Sequence, residues 1–241
     1  MKKYLFISFI YLLCYQLLIA QDVNEEYIKA NYDKIEQYIP MRDGTKLFTS
    51  IYVPKDQSQK YPILLNRTPY TVAPYGKDKY KSSLGNFPKM ATEKYIFVYQ
   101  DVRGKWMSEG VFENIRPTRS PQNKAKIDES TDTYDTIDWL TKNLPSNNGK
   151  VGMYGISYPG FYATAALIDS HPALKAVSPQ APVTDWFIGD DFRHGGALLL
   201  MDAFRFMYTF DAPRPKPITN ANGPKGFDLQ SKDFYKFFLR N

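Results

Sequence analysis

The sequence predicts an α/β protein built on a parallel β-sheet, and three observations lead to this fold class. Short apolar segments typical of buried strands alternate with segments whose apolar residues recur at helical spacing. A serine flanked by glycines lies where one of these strands meets the next helix. The chain has 241 residues, of which 43% are hydrophobic, so it can bury a sizeable core.

Residues 1–20 have the layout of a secretory signal peptide. Lys2 and Lys3 precede an uninterrupted apolar stretch that ends at Ala20, a small residue suited to cleavage. We therefore expect a secreted or periplasmic protein with no membrane attachment after cleavage; the alternative is an uncleaved membrane anchor. Because Cys14 is the only cysteine, the mature chain would contain no disulfide, thiolate nucleophile or cysteine metal site.

The charge pattern argues against several classes of partner. The net charge of +6 is mild and scattered, and no basic stripe is interleaved with aromatic residues, so nucleic-acid binding is not expected. The sequence has no glycine-rich phosphate loop and no His/Cys ligand spacing, so we expect neither a cofactor nor a metal. It carries no signal for the oligomeric state.

The first predicted elements form a hairpin. Asp43-Gly44 lies between two partly alternating apolar stretches within residues 35–54, which is a strong turn signal. A buried strand at Ile63–Leu65 then runs into a proline-containing loop, and a second spans Tyr95–Tyr99. Residues 113–130 are polar and contain prolines, so we expect a surface excursion there.

The second half of the predicted sheet begins with a helix at Thr131. Its apolar stripe consists of Tyr134, Ile137, Leu140 and Leu144, and Pro145 and Gly149 close it. Three further elements are expected, namely a strand at Lys150–Tyr154, a helix at Tyr158–Ser170 and a strand at Ala173–Val177. After Asp185 the composition becomes aromatic and its pattern helical, so residues 186–241 are expected to form a different unit.

The glycine-flanked serine is Ser157, in the segment Gly155-Ile156-Ser157-Tyr158-Pro159-Gly160. This spacing resembles the G-x-S-x-G pattern of serine nucleophiles, with the second glycine one position late. A tight turn from strand to helix exposes the serine oxygen and brings the helix N-terminal N–H groups beside a developing oxyanion. Ser157 is therefore a candidate nucleophile; the alternative is a helix N-cap serine.

Four segments together resemble the α/β-hydrolase family of cocaine esterase, α-amino-acid ester hydrolases and X-Pro dipeptidyl-peptidases. They are RTPY (67–70), QDVRGKWMSEGVF (100–112), DTYDTIDWL through GISYPGF (132–161) and HPALKAVSPQAPVTDW (171–186). The resemblance covers nearly all of residues 35–241. It implies a truncated α/β-hydrolase fold, with the N-terminal part of the hydrolase domain in residues 21–185. Residues 186–241 would be the incomplete start of a helical cap domain.

The resemblance also implies roles for individual residues. Ser157 would be acylated, and the oxyanion would be held by the hydroxyl of Tyr70 and the backbone N–H of Tyr158. From the sequence alone, Tyr70 could equally be a packed loop aromatic. Asp191 falls where α-amino-acid ester hydrolases bind the substrate ammonium with carboxylates; the alternative is a solvated or helix-capping Asp190/Asp191 pair.

The resemblance leaves the nucleophile without a base. His171 follows Ser157 on the same predicted helix at a distance of about 20 Å, and His194 lies in the expected cap, where it could at most contact substrate. The family's triad Asp and His follow the cap, so we expect this chain to be the N-terminal part of a longer hydrolase. Asp101 and Arg103 also match the family and are interpreted as a structural ion pair.

The predicted function is that of a serine hydrolase that cleaves esters or amides through an acyl-enzyme on Ser157. Its substrates would be small-molecule esters, amides or short peptides, and whether they need a free α-amino group stays open. As this fragment alone, the chain is expected to be inactive. The alternatives are an X-Pro dipeptidyl-peptidase and a noncatalytic truncated fragment.

Overall fold

The computed structural model describes residues 23–86, 88–185, 188–210, 216–219 and 233–240. The predicted signal peptide lies outside these residues. Within them, no helix combines the length and the apolar character needed to cross a membrane.

The described residues form helices and strands in the order expected from the sequence, with additions at both ends. The helices are α1 (Glu25–Asn31), α2 (Pro88–Thr92), α3 (Glu129–Asn143), α4 (Tyr158–Ala165), α5 (Leu200–Phe210) and α6 (Phe234–Arg240). The strands are β1 (Tyr32–Pro40), β2 (Lys46–Pro54), β3 (Tyr61–Thr68), β4 (Ile96–Asp101), β5 (Asn147–Ile156), β6 (Leu174–Gln180), β7 (Gly189–Asp190), β8 (Arg193–His194) and β9 (Ala197–Leu198).

The main sheet has the strand order β1-β2-β4-β3-β5-β6. The strands β4, β3, β5 and β6 are parallel, whereas β1 and β2 form an antiparallel hairpin at one end. The predicted parallel sheet is therefore confirmed. Because parallel strands share a carboxyl edge, the loops that follow β3, β4, β5 and β6 meet there, which is where ligands bind in sheets of this kind.

The hairpin forms where the sequence predicts it. Gly44 has a φ of +86°, which a residue without a side chain adopts at little cost. The turn is closed by a hydrogen bond from the Met41 N–H to the Thr45 carbonyl. Strand β2 is buried from Leu47 to Pro54, since β4 and β1 flank it on either side.

Apolar side chains pack on both faces of the sheet. Ile63 and Leu65 belong to a cluster with Ile137 and Leu140 of α3, whereas the intervening Leu64 faces a second cluster with residues of α1 and α2. This burial on two faces is why β3 and β4 contain continuous apolar runs. Helix α3 begins at a capping box in which Asp128 and Thr131 bond each other's backbone N–H groups.

Two predictions are corrected by the structure. The helix predicted for Tyr158–Ser170 ends at Ala165, because Leu167 and Ile168 are exposed and make tighter turns with i−3 carbonyls. Residues 188–198, the first described part of the unit expected to be helical, are not helical. A second sheet of three two-residue antiparallel strands, in the order β7-β8-β9, precedes α5.

Candidate active site

Ser157 lies at the apex of the turn between β5 and α4. Its backbone has φ 62° and ψ −123°, a conformation that costs a non-glycine residue about 1–3 kcal/mol and clusters at functional sites. Its N–H donates to the Gln180 carbonyl at 2.9 Å, which ties the turn to the end of β6. The Ser157 side chain makes no capping hydrogen bond to α4, so the N-cap alternative does not account for this serine.

The two glycines of the motif are required by contacts of backbone with backbone. A Cβ on Gly155 would lie 2.0 Å from the Pro159 carbonyl oxygen. A Cβ on Gly160 would lie 2.7 Å from the Gln180 carbonyl oxygen. Helix α4 therefore comes closest to β6 at position 160, which explains why the second glycine of the motif stands one position later than in G-x-S-x-G. Pro159 is tolerated because it lies in the first helical turn.

Tyr70 follows β3, and its hydroxyl lies close to that of Ser157. Burial raises the pKa of Tyr70, the neighbouring Ser157 hydroxyl partly offsets this, and the negative charge of Asp191 raises the pKa further. The phenol therefore stays protonated at neutral pH and can donate a hydrogen bond. The fold thus brings Tyr70 close to Ser157 and Asp191 within electrostatic range of Tyr70, from three segments that are distant in sequence.

Tyr158 is the first residue of α4. Its N–H therefore lies in the first helical turn, before the i→i−4 hydrogen bonds of the helix begin. Its side chain is fixed by the 113–116 loop: the hydroxyl donates to Asn114 Oδ1 at 2.6 Å and accepts from the Ile115 N–H at 2.8 Å. Sequence reasoning missed Asn114 and Ile115, because their stretch is polar and has no local pattern that points to the site.

Aromatic rings surround the nucleophile. Tyr70 packs edge-on against Tyr158 and Phe210, with ring centroids 6.4 and 5.9 Å apart. Phe112 packs against Phe210 at 5.4 Å. The Lys105 ammonium lies 3.8 Å from the centroids of both phenylalanine rings and donates to the Phe210 carbonyl at the end of α5. A cation at this helix terminus is favourable, and the contact holds α5 against the site.

The segment that carries Tyr70, residues 69–76, is here called the Tyr70 loop. At its start, the Trp106 indole N–H donates to the Pro69 carbonyl at 3.0 Å. At its centre, Asp101 accepts from the Val72 N–H at 3.0 Å and from the Tyr75 hydroxyl at 2.9 Å. These anchors come from the end of β4 and the segment after it.

The structure corrects the predicted ion pair between Asp101 and Arg103. Arg103 instead pairs with Asp132 at 2.6 Å and with Asp43 at 2.7 Å. Asp101 is fully buried, and burial raises its pKa to about 7. The hydrogen bonds from Tyr75 and from backbone N–H groups act in the opposite direction.

Lys34 holds the far end of the Tyr70 loop. Its side chain is fully buried and its ammonium donates to the carbonyls of Pro74, Gly76 and Lys79 at 2.6–2.9 Å. Glu36 neutralises the charge at 2.9 Å. Nothing in the sequence around Lys34 indicates this role, because its partners lie about 40 residues later.

In the part of the chain that the structure describes, neither histidine contacts Ser157. The His171 Nε2 is 3.6 Å from Asp138, its Nδ1 accepts from the Ala173 N–H, and its ring packs on Tyr134. It precedes the amino end of β6, whereas Ser157 follows the carboxyl end of the parallel β5. His194 is an exposed residue of β8. Among the described residues, no group of three or more His, Cys, Asp or Glu side chains could hold a metal ion.

Comparison with known proteins places this geometry among hydrolases. A family model described as X-Pro dipeptidyl-peptidase (S15 family) matches residues 43–226. The cocaine esterase of Rhodococcus sp. (strain MB1 Bresler) is 31% identical over 160 residues, which are 66% of this chain and 25% of that protein.

Two solved structures share 40% sequence identity with the chain, and each comparison covers 87% of this chain and 34% of the other. One is an aminopeptidase from the marine sediment archaeon Thaumarchaeota archaeon, with a TM-score of 0.72. The other is an α-amino acid ester hydrolase, with a TM-score of 0.73. The main sheet and its helices thus have the α/β-hydrolase fold, and the chain spans about a third or less of these relatives' lengths.

Proposed function

The chain belongs to the S15 X-Pro dipeptidyl-peptidase family, and from this premise we propose that it is a serine hydrolase acting through an acyl-enzyme on Ser157. One observation carries the proposal. Ser157 holds a costly positive φ at the apex of a strand-to-helix turn, with the protonated hydroxyl of Tyr70 close to it.

In the proposed reaction, Ser157 Oγ attacks the substrate carbonyl carbon and its proton passes to a general base. The carbonyl π electrons move to oxygen, and the Tyr70 hydroxyl and the Tyr158 N–H stabilise the resulting oxyanion. The tetrahedral intermediate collapses, and the alcohol or amine leaves with the proton. Water then hydrolyses the acyl-enzyme by the same steps, which restores the serine.

We assign the base and its carboxylate partner to sequence outside the described residues. His171 lies at the opposite edge of the sheet, and His194 is exposed on β8. A proton acceptor must come within about 3 Å of the serine oxygen or act through one water. The proposal that the triad Asp and His follow the cap is tested by the coding sequence after the codon for Asn241.

The proposed substrates are esters, amides or short peptides with a free α-amino group. Asp191 supports this, since its negative charge acts on Tyr70, whose hydroxyl neighbours the reacting serine. A carboxylate in that position would bind a substrate ammonium by charge and hydrogen bonds. The relatives whose names denote an aminopeptidase and an α-amino acid ester hydrolase are the two at 40% identity. Secretion or export to the periplasm is proposed from residues 1–20.

The experiment uses the intact protein expressed from its complete gene. A fluorophosphonate probe should label the wild type and Ser170→Ala, an exposed serine control, but not Ser157→Ala. Turnover of alanine p-nitrophenyl ester should exceed that of its N-acetyl form, and Asp191→Asn should raise KM for the free amine only. Absence of labelling would overturn the proposal in favour of a noncatalytic chain.

An X-Pro dipeptidyl-peptidase is the second candidate, favoured by the description of the family model that matches. Ala-Pro p-nitroanilide distinguishes the two. Faster turnover of this anilide than of alanine p-nitroanilide would support the peptidase, and the opposite order would support the amino-acid esterase.

A further inference from the structure

Asp101 links the end of β4 to the Tyr70 loop. We propose that Asp101 is a positioning residue, which sets the Tyr70 hydroxyl at Ser157 by fixing the segment from Val72 to Tyr75. This inference rests on the function proposed above for Ser157 and Tyr70. This positioning role, and not an ion pair with Arg103, explains why a carboxylate is buried at position 101.

The placement of Asp101 follows from the sheet. Asp101 pairs in register with Thr68, so the last residues of β4 and β3 lie side by side at the carboxyl edge. From there its carboxylate reaches the Tyr70 loop, whereas the backbone of β4 continues toward Met107. The Met107 N–H donates to the same carboxylate at 3.3 Å.

A chain of hydrogen bonds connects Asp101 to the residue next to Tyr70. Tyr75 donates to Asp101, and the hydroxyls of Tyr75 and Thr71 lie 3.1 Å apart. The Thr71 hydroxyl also accepts from the Ala73 N–H at 3.0 Å. On the other side of Tyr70, its own N–H donates to the Thr68 hydroxyl at 3.1 Å. Tyr70 is therefore held between two fixed points, and Asp101 supplies the second.

The chemistry of this site requires a carboxylate. Three donors converge on Asp101, from Val72, Tyr75 and Met107, and the two oxygens of a carboxyl group offer enough lone pairs to accept from all of them. The Lys81 ammonium balances its charge and donates to the Ala73 carbonyl at 2.8 Å, inside the same loop. In Asp101→Asn, the side-chain NH2 group would face the N–H or hydroxyl of one partner, so the hydrogen bond to that partner would be lost.

Kinetics of the intact protein test the proposal. The variants are Asp101→Asn and Tyr75→Phe. Tyr75→Phe removes only one hydroxyl, so it still tests the proposal if Asp101→Asn does not fold. Tyr80→Phe is the matched control, because this phenol makes only long bonds of 3.3–3.4 Å to Lys34 and Tyr32. We expect kcat for p-nitrophenyl acetate to fall about tenfold in both variants, with KM nearly unchanged and Tyr80→Phe at wild-type rate.

A double-mutant cycle separates positioning from a general loss of structure. Tyr70→Phe alone should cost about 100-fold in kcat, as for loss of one oxyanion donor. Adding Tyr75→Phe or Asp101→Asn to Tyr70→Phe should cost nothing more, since the group that they position is gone. Losses that multiply, or variants with wild-type kcat, would overturn the proposal.

Amide hydrogen exchange of residues 69–76 gives a readout that does not need turnover. Faster exchange in Tyr75→Phe than in Tyr80→Phe would support a loop held by Asp101, and equal exchange would overturn it. If the wild type neither reacts with the probe nor turns over esters, the proposed function fails. The exchange result then still decides whether Asp101 holds the Tyr70 loop.

Discussion

The turn at Ser157 and the Tyr70 loop meet at one point but are built in different ways. The turn is shaped by contacts of backbone with backbone, with Gly155 against Pro159 and Gly160 against the end of β6. The Tyr70 loop depends on side chains from other parts of the chain, with Lys34 before it and Asp101 and Trp106 after it. One region is fixed by short-range sterics, and the other by buried polar contacts over long sequence separations.

This difference determines how each region responds to substitution. A steric requirement on backbone atoms leaves no room for relaxation, so its violation affects the whole turn. A loop held by several hydrogen bonds loses them one at a time, and each loss costs a limited free energy. Four predictions test this contrast.

The largest effect is expected for Gly155→Ala. The new Cβ would lie 2.0 Å from a backbone oxygen, so the turn cannot form and we expect a loss of more than about 4 kcal/mol in the free energy of unfolding. Gly152→Ala is the control on the same strand, because its Cβ would meet its nearest neighbour at 3.6 Å. Urea denaturation measures both; a stable Gly155→Ala protein would contradict the steric explanation.

The next effect is on the pH dependence of stability. The pKa of Asp101 in the folded state, about 7, lies above its ordinary value of 3.8. Its contribution to stability is therefore complete below about pH 4 and is lost as the pH rises through 7. As the pH rises over this range, the free energy of unfolding of the wild type should fall by up to about 4 kcal/mol relative to that of Asp101→Asn. Urea denaturation at several pH values measures this difference.

Asp56→Asn is the control of opposite sign for the pH experiment. A hydrogen bond from Lys94 lowers the pKa of the partly exposed Asp56, so the contribution of this group is lost as the pH falls. Parallel pH curves for the wild type and Asp101→Asn would show that Asp101 keeps its ordinary pKa.

Lys34→Met should destabilise the protein by about 3 kcal/mol. The substitution leaves the carbonyls of Pro74, Gly76 and Lys79 without their buried donor and Glu36 without its cation. Lys55→Met is the control, because this exposed lysine donates to a single carbonyl, that of Lys29. Thermal unfolding measures the two; equal melting temperatures would mean that the loop is held by its other contacts.

The smallest effect is expected for Trp106→Phe, which removes one hydrogen bond to the start of the Tyr70 loop. We expect a loss of about 1 kcal/mol, with faster amide exchange near residue 70 and no change at the Ser157 turn. Trp139→Phe, at a half-buried tryptophan on α3, is the control. Faster exchange at both regions would mean that they are not independent.

The same contrast explains how much of the molecule could be predicted from the sequence. The hairpin at Asp43-Gly44, the strands β3 to β6 and helix α3 follow from turn chemistry and apolar spacing, which are local. The Ser157 turn was predictable because its glycines are neighbours of the serine. The roles of Tyr70 and Asp191 were expected through the resemblance; the structure places Tyr70 close to Ser157, and the charge of Asp191 acts on Tyr70.

The residues that sequence reasoning missed have distant partners. Lys34, Asn114 and the true contacts of Asp101 depend on register and loop paths that no local pattern encodes. The early end of α4 depends on whether Leu167 and Ile168 find an apolar surface, which is a property of the tertiary fold. A lysine followed by a glutamate two positions later reads as an ordinary exposed strand face, yet Lys34 is buried.

The hydrogen bond between Trp106 and Pro69 also makes Trp106 an intrinsic fluorescent reporter of the Tyr70 loop. Indole emission shifts with polarity and hydrogen bonding, and the Trp106 indole N–H is bonded to the residue that precedes Tyr70. A change at the Tyr70 loop on acylation would therefore change the fluorescence of this one tryptophan. Trp139 lies on α3, far in sequence from the Tyr70 loop, and Trp139→Phe would lower the background fluorescence. Stopped-flow fluorescence could then follow the loop during a single turnover without any attached dye.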